Sequence, residues 1–145
     1  ADTGTDPETA FAGTFSGAGS VVNHGVLRLV GNSPFPAGFS LVNHGLLDIM
    51  TWQGVLPDGF VNHGTVLDRR SLKIDGIQRE SSGVRLQFKT YRGHQYRVQS
   101  ATDLDAASWQ DTGIVLDGGD GEFVEQSIPV APGTIRRFWR LAVEP

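Results

Sequence analysis

Val22-Asn23-His24-Gly25, Val42-Asn43-His44-Gly45 and Val61-Asn62-His63-Gly64 are one tetrapeptide written three times, at spacings of 20 and 19 residues. A short motif returning at a near-constant period marks a stack of similar units. The matches extend beyond it. Pro36-Ala37-Gly38-Phe39 precedes the second copy and Pro57-Asp58-Gly59-Phe60 the third, with two extra residues between Phe39 and Asn43; Gly17 to Leu27 is a looser first copy. Each unit has a short apolar run, an Asn-His-Gly corner and a second short run. The runs are too short for helices, and Pro and Gly punctuate them. Gly is expected to supply a positive φ at the corner, and Asn tolerates one.

Two folds accommodate this pattern. In a hairpin ladder, Asn-His-Gly is a three-residue turn. In a parallel β-helix, each unit of roughly 20 residues is one coil, and equivalent corners stack about 4.8 Å apart. The β-helix is favoured, because a hairpin array has no reason to repeat at one-coil length. Stacking would align Asn23, Asn43 and Asn62, whose amides could bond along the stack; the alternative is that each Asn only forms its turn. His24, His44 and His63 would align as well. A metal site or a shared titration near pH 6.5 is conceivable. One rung is nevertheless wider than two ligands on a tetrahedral zinc prefer, and no acidic or Cys partner recurs beside them. A packing role is favoured.

Composition sets the limits. The chain has 145 residues, 39% hydrophobic, enough for a modest core, and no apolar run approaches the roughly 18 residues of a membrane span. A net charge of −4 disfavours nucleic acid as a partner. Cysteine is absent, which removes disulfides and thiolate metal sites without deciding the compartment. The start Ala1-Asp2-Thr3-Gly4 is small and polar, as signal-peptide cleavage leaves it. An extracellular or cell-surface protein is therefore expected, although a piece of a longer chain would begin the same way.

From Ser71 the pattern changes. Val84, Leu86, Phe88 and Thr90 alternate with Arg85, Gln87 and Lys89, and His94 to Ser100, Phe123 to Val130 and Arg137 to Val143 alternate likewise. Period-two patterning predicts antiparallel strands over one core. Turns are expected at Ser81-Ser82-Gly83, Tyr91-Arg92-Gly93, Asp117 to Gly121 and Pro132-Gly133. The fold expected is all-β: a parallel β-helix or solenoid of about three coils, then a small antiparallel Ig-like or fibronectin-III-like sandwich. Residues 1–19 are read as a polar tail with a possible capping or exchanged strand at Thr9 to Ser16, 20–70 as the solenoid and 71–145 as the sandwich.

Gly93-x-x-Tyr96-x-Val98-Gln99-Ser100-Ala101-Thr102-Asp103-Leu104, then Trp109, then Arg137-Phe138-Trp139-Arg140-Leu141, resembles a C-terminal sandwich module of secreted proteins common in Verrucomicrobia and Planctomycetes. Ala101-Thr102 stands where Ser-Thr is usual there, and Trp139 where Tyr is usual. Phe60 to Arg69 is similar to coils that often precede this module in large, autotransporter-like β-helical surface proteins. The resemblance covers most of residues 20 to 145. It implies architecture and surface location, and brings no catalytic residues.

No nucleophile elbow, phosphate loop or His-Glu-x-x-His is present. Asp117, Asp120 and Glu122 offer too few oxygens for calcium, so a hairpin turn is favoured there. Asp103, Asp105 and Asp111 flank Trp109. A glycan contact at Trp109 and Asp111 is the alternative to a core role for the indole, which the resemblance favours. Arg136, Arg137 and Arg140 are expected to meet carboxylates of a neighbouring strand or subunit. No enzymatic activity, cofactor or metal is expected. Three rungs leave two ends that need caps or partners. The leading expectation is thus a self-associating extracellular structural protein, a head-to-tail filament or surface fibre. Phe11, Phe15, Arg136, Arg137 and Arg140 are its candidate subunit contacts. The alternative is a carbohydrate-binding or adhesive module of a larger surface protein.

Overall fold

The structure, a computed structural model, describes residues 8–11, 15–134 and 136–144, with backbone only for 8–11 and 106. It is all-β, with parallel and antiparallel sheets and two short 3-10 turns at Arg69–Ser71 and Ala106–Ser108. The chain divides into two compact units, Ala1–Ser71 and Leu72–Pro145.

The first unit is built by the repeat. Its strands are β1 (Glu8–Phe11), β2 (Ser20–Asn23), β3 (Val26–Leu29), β4 (Ser40–Asn43), β5 (Leu46–Asp48), β6 (Gly59–Asn62) and β7 (Thr65–Leu67). Each Asn-His-Gly corner joins a strand of one sheet, β2-β4-β6, to a strand of the other, β1-β3-β5-β7. All pairings are parallel and align like with like: Asn23↔Asn43↔Asn62 and Val26↔Leu46↔Thr65. Parallel neighbours cannot be joined by a tight turn, so the hairpin ladder is not formed. Alternation then decides the interior. Val21, Leu41 and Phe60 of one sheet meet Leu27, Leu47 and Val66 of the other in one cluster with Leu29 and Trp52.

The two Pro-x-Gly-Phe motifs are not equivalent. Both make a turn, with Phe39 N–H donating to Pro36 O at 3.2 Å and Phe60 N–H to Pro57 O at 2.9 Å. Register is counted from the corner Asn, however, so Leu41 takes the place of Phe60. Phe39 lies two residues earlier, in an aromatic group with Phe15, Phe35 and Trp52. Phe15, a subunit-contact candidate, is packed within the chain, its ring stacked 4.6 Å from Phe35. Of the strand expected within Thr9 to Ser16, Thr9 to Phe11 belong to β1, and residues 12–14 lie outside the described residues. β1 lies on the protein's own sheet, Phe11 opposite Leu29 in backbone pairing.

The second unit has β8 (Ile74–Glu80), β9 (Gly83–Tyr91), β10 (Gln95–Ala101), β11 (Gln110–Asp117), β12 (Asp120–Pro129) and β13 (Phe138–Glu144). They form two antiparallel sheets, β12-β9-β8 and β11-β10-β13. Leu86 and Phe88 of β9 and Ile128 of β12 share a core with Val98 of β10 and Leu141 of β13. The inward residues are those that the alternation assigns. Asp117 to Gly121 does not close a hairpin: β11 and β12 lie in different sheets, so this Gly-rich segment is a crossover. β11 carries a bulge. Arg97↔Val115 and Gln99↔Asp111 leave Thr112, Gly113 and Ile114 opposite Val98 alone, and Gly113 takes a φ of 83° there.

Candidate functional site

The corners of the first unit form a continuous polar column. Asn23 Nδ2 donates to Asn43 Oδ1 at 2.7 Å, and Asn43 Nδ2 donates to Asn62 Oδ1 at 2.8 Å. Each amide also fixes backbone. Asn23 donates to Leu46 O at 3.0 Å; Asn43 donates to Thr65 O at 3.1 Å and Gly45 O at 3.2 Å. Gly25 and Gly64 N–H return bonds of 3.2 Å to Asn23 and Asn62 Oδ1. Asn43 is completely buried, Asn23 is buried and Asn62 is exposed. A buried amide demands this many partners because an unmade hydrogen bond there costs about 1–3 kcal/mol.

Outside the asparagines the histidines stack. His24 and His44 rings are 4.9 Å apart and 5° from parallel; His44 and His63 are 5.0 Å apart at 16°. All three are exposed. Two nitrogens on one tetrahedral zinc sit only about 3.3 Å apart, given bonds of about 2.0–2.1 Å. Among the described residues no group of three or more His, Asp or Glu is arranged to hold a metal. The column is a stack of near-parallel imidazole rings about one strand spacing apart.

The corner glycines act differently from the expectation. None of Gly25, Gly45 and Gly64 has a positive φ. Clearance is what requires glycine: a Cβ on Gly45 would lie 2.1 Å from Gly25 O, and one on Gly64 would lie 2.1 Å from Gly45 O. Those carbonyls belong to the ladder, since Leu46 N–H donates to Gly25 O and Thr65 N–H to Gly45 O, both at 2.8 Å.

A buried ion pair lies one step along. Arg28 Nε donates to Asp48 Oδ2 at 3.1 Å, and Asp48, at 1% exposure, also accepts Met50 N–H at 3.1 Å. Sequence reading passed over this pair. Its signal was present: both residues stand three after the corner glycine, in successive repeats.

In the second unit the sequence candidates separate. Trp109, expected in the core, lies outside the core cluster and beneath the Arg140 guanidinium, 4.4 Å from its ring centroid. Arg140 Nε donates to Gln99 Oε1 at 2.8 Å, and Gln99 Nε2 donates to Asp111 Oδ1 at 2.7 Å, completing a polar row on the outer face. Arg136 and Arg137 lie over Phe138 and Trp139. Arg136 also attracts the Asp103 carboxylate. Asp103 serves a local turn. The Ser108 hydroxyl, then the Asp105 N–H, hold its carboxyl below the usual carboxylate range. Asp120 pairs with Arg92 in the turn between β9 and β10, and Asp117 accepts from Gln95 Nε2 of β10. Beside the β11 bulge, a groove of about 450 Å³ is lined by Asp111, Thr112, Arg137 and Trp139, among others.

No family model, curated protein or solved structure matches this chain.

Proposed function

We propose that this is a non-catalytic structural protein whose first unit is a three-rung β-solenoid and whose function is self-association. The resemblance in the repeats and in Gly93 to Leu141 supports an extracellular or cell-surface setting. It also supports reading the second unit as a small sandwich of the Ig or fibronectin-III kind. One observation carries the assembly reading: the ladder stops at an exposed rung, Asn62 and His63, although its buried middle rung shows what a further rung would satisfy. Unpaired strand edges of this sort are templates for another chain. Light scattering and negative-stain microscopy across a concentration series test it. Growth into elongated particles is expected, and a single monomeric species at every concentration refutes it.

A second reading has its own observation. Asp111, Thr112 and Arg137 beside Trp139 form a polar groove with an aromatic wall, chemistry suited to a sugar ring. Binding to an array of glycans that disappears in Trp139→Ala and persists in Trp109→Ala would support an adhesive module acting through this groove; no binding excludes it.

A further inference from the structure

We propose that the contact between copies is head-to-tail extension of the asparagine ladder, and that β1 must leave its place for that contact to complete. This rests on the self-association reading and specifies its interface.

The ladder has a direction. Each amide donates toward the next repeat, from Asn23 to Asn43 to Asn62. The backbone donates in the opposite sense, back to the preceding repeat: His44 N–H to Asn23 O at 2.8 Å and His63 N–H to Asn43 O at 2.7 Å. The two ends are therefore chemically opposite. Asn62 Nδ2 spends one proton on Gly64 O at 3.2 Å. Its other proton corresponds to the one that Asn23 and Asn43 give to the following repeat, and its main-chain carbonyl is the counterpart of those that accept from His44 and His63. At the other end Asn23 Oδ1 accepts Gly25 N–H. Among the described residues, no amide precedes it to fill the position that Asn23 fills on Asn43.

Along the asparagine column, like ends brought together would set Asn62 donor against donor or Asn23 acceptor against acceptor. Asn62 of one copy on Asn23 of the next would re-form the bonds that run along the column, Nδ2 to Oδ1 and His24 N–H to Asn62 O. The edges are suited to it. Gly59, Val61 and Asn62 of β6 are exposed, and Val22 and Val61, at 51% and 45%, would continue the Val22-Val42-Val61 column. Such a contact is heterologous and does not close, so it polymerises.

One element stands in the way. An arriving last rung brings β7 with β6. If β6 pairs with β2, β7 falls beside β3, where β1 lies with Glu8 opposite Val26. Within the repeat the partner of Val26 is Leu46, whose own partner is Thr65, so Thr65 of the arriving copy claims the place of Glu8. β1 is thus a four-residue placeholder for the neighbour's β7. The arriving strand comes with a second strand, an asparagine and a histidine that β1 does not supply.

The chain lacks cysteine, so a double variant Glu8→Cys/Val26→Cys can lock β1 to β3 reversibly. Oxidised, it is expected to remain monomeric where wild type assembles, and reductant should restore assembly of the same sample. Asn62→Asp keeps the acceptor for Asn43 and Gly64 N–H but loses the outward donor; it should raise the concentration needed for assembly by about tenfold. Deleting residues 1–11 should lower that concentration. If oxidised and reduced forms assemble alike, or Asn62→Asp matches wild type, the interface lies elsewhere while self-association stands. If wild type is monomeric and the deletion assembles, the placeholder is upheld against the self-associating reading of the intact chain. If both remain monomeric, both ideas fall. Circular dichroism checks the fold of each chain, and should the deletion unfold, the disulfide pair decides.

Discussion

At the scale of single residues, the corner glycine shows how one letter can be required for a reason the sequence does not disclose. Its identity at three matching positions is plain, and a turn needing positive φ is the usual explanation. At Gly45 and Gly64 the requirement is space for the carbonyl of the preceding repeat. Gly45→Ala should therefore cost about 3 kcal/mol or more, the upper end of overpacking, because the obstructing atom is hydrogen-bonded backbone and cannot rotate away. Gly76→Ala is the control: the atoms nearest its Cβ are those of Gln87 at 3.4–3.5 Å, and a change within about 1 kcal/mol is expected. Urea unfolding of the two variants separates clearance from general intolerance of substitution. The Arg28–Asp48 pair makes a second prediction at this scale. Asp48→Ala removes the buried carboxylate that meets both Arg28 Nε and Met50 N–H, and should cost about 3 kcal/mol. Arg28→Met/Asp48→Leu should recover most of that loss in the same unfolding experiment, because two apolar groups there replace a pair that desolvation had already weakened.

Among elements, the ladder acts as a unit, and its rungs should be unequal. Asn43 both donates and accepts along the column and is wholly buried. Asn43→Ala removes both bonds, leaves Thr65 O short of a donor and opens a polar gap; roughly 2–4 kcal/mol should be lost. Asn62→Ala removes an exposed end and should cost about 1 kcal/mol or less. Equal costs would show that each Asn merely shapes its own corner. Much at this scale was legible beforehand. The period gave stacked repeats, near-identical corners suggested the asparagine column, and alternation placed Leu86 and Phe88 on one face. What was not legible has a common cause. A residue pattern reports which face of a strand is buried, not which strand lies beside it. Hence the crossover at Asp117 to Gly121 reads as a hairpin, the bulge at Thr112 to Ile114 leaves no mark, and Phe39 reads as equivalent to Phe60 although backbone pairing places Leu41 there. Trp109 is a similar case: the resemblance assigns it a core role, and no residue pattern reveals its cationic neighbour Arg140.

At the scale of the molecule, the two units have separate apolar clusters, one drawn from Phe15 to Val66 and the other from Leu72 to Leu141. Two cores give no reason for a single two-state transition. Leu47 and Leu86 are each 0% exposed, one in each cluster. Truncation to Ala should cost about 2–5 kcal/mol in either place. Hydrogen exchange resolved by peptide should then show Leu86→Ala loosening β8 to β13 while β2 to β7 keep their protection, and Leu47→Ala doing the reverse. Loss of protection across both units from one substitution would mean a shared cooperative fold. The same pair bears on function. If the ladder edge is the contact, then at a temperature where only the second unit of Leu86→Ala has melted, that variant should still assemble, whereas Leu47→Ala with an intact second unit should not. Assembly following the second unit instead would move the contact to the strands of Leu72–Pro145 and remove the ladder from the role given to it here.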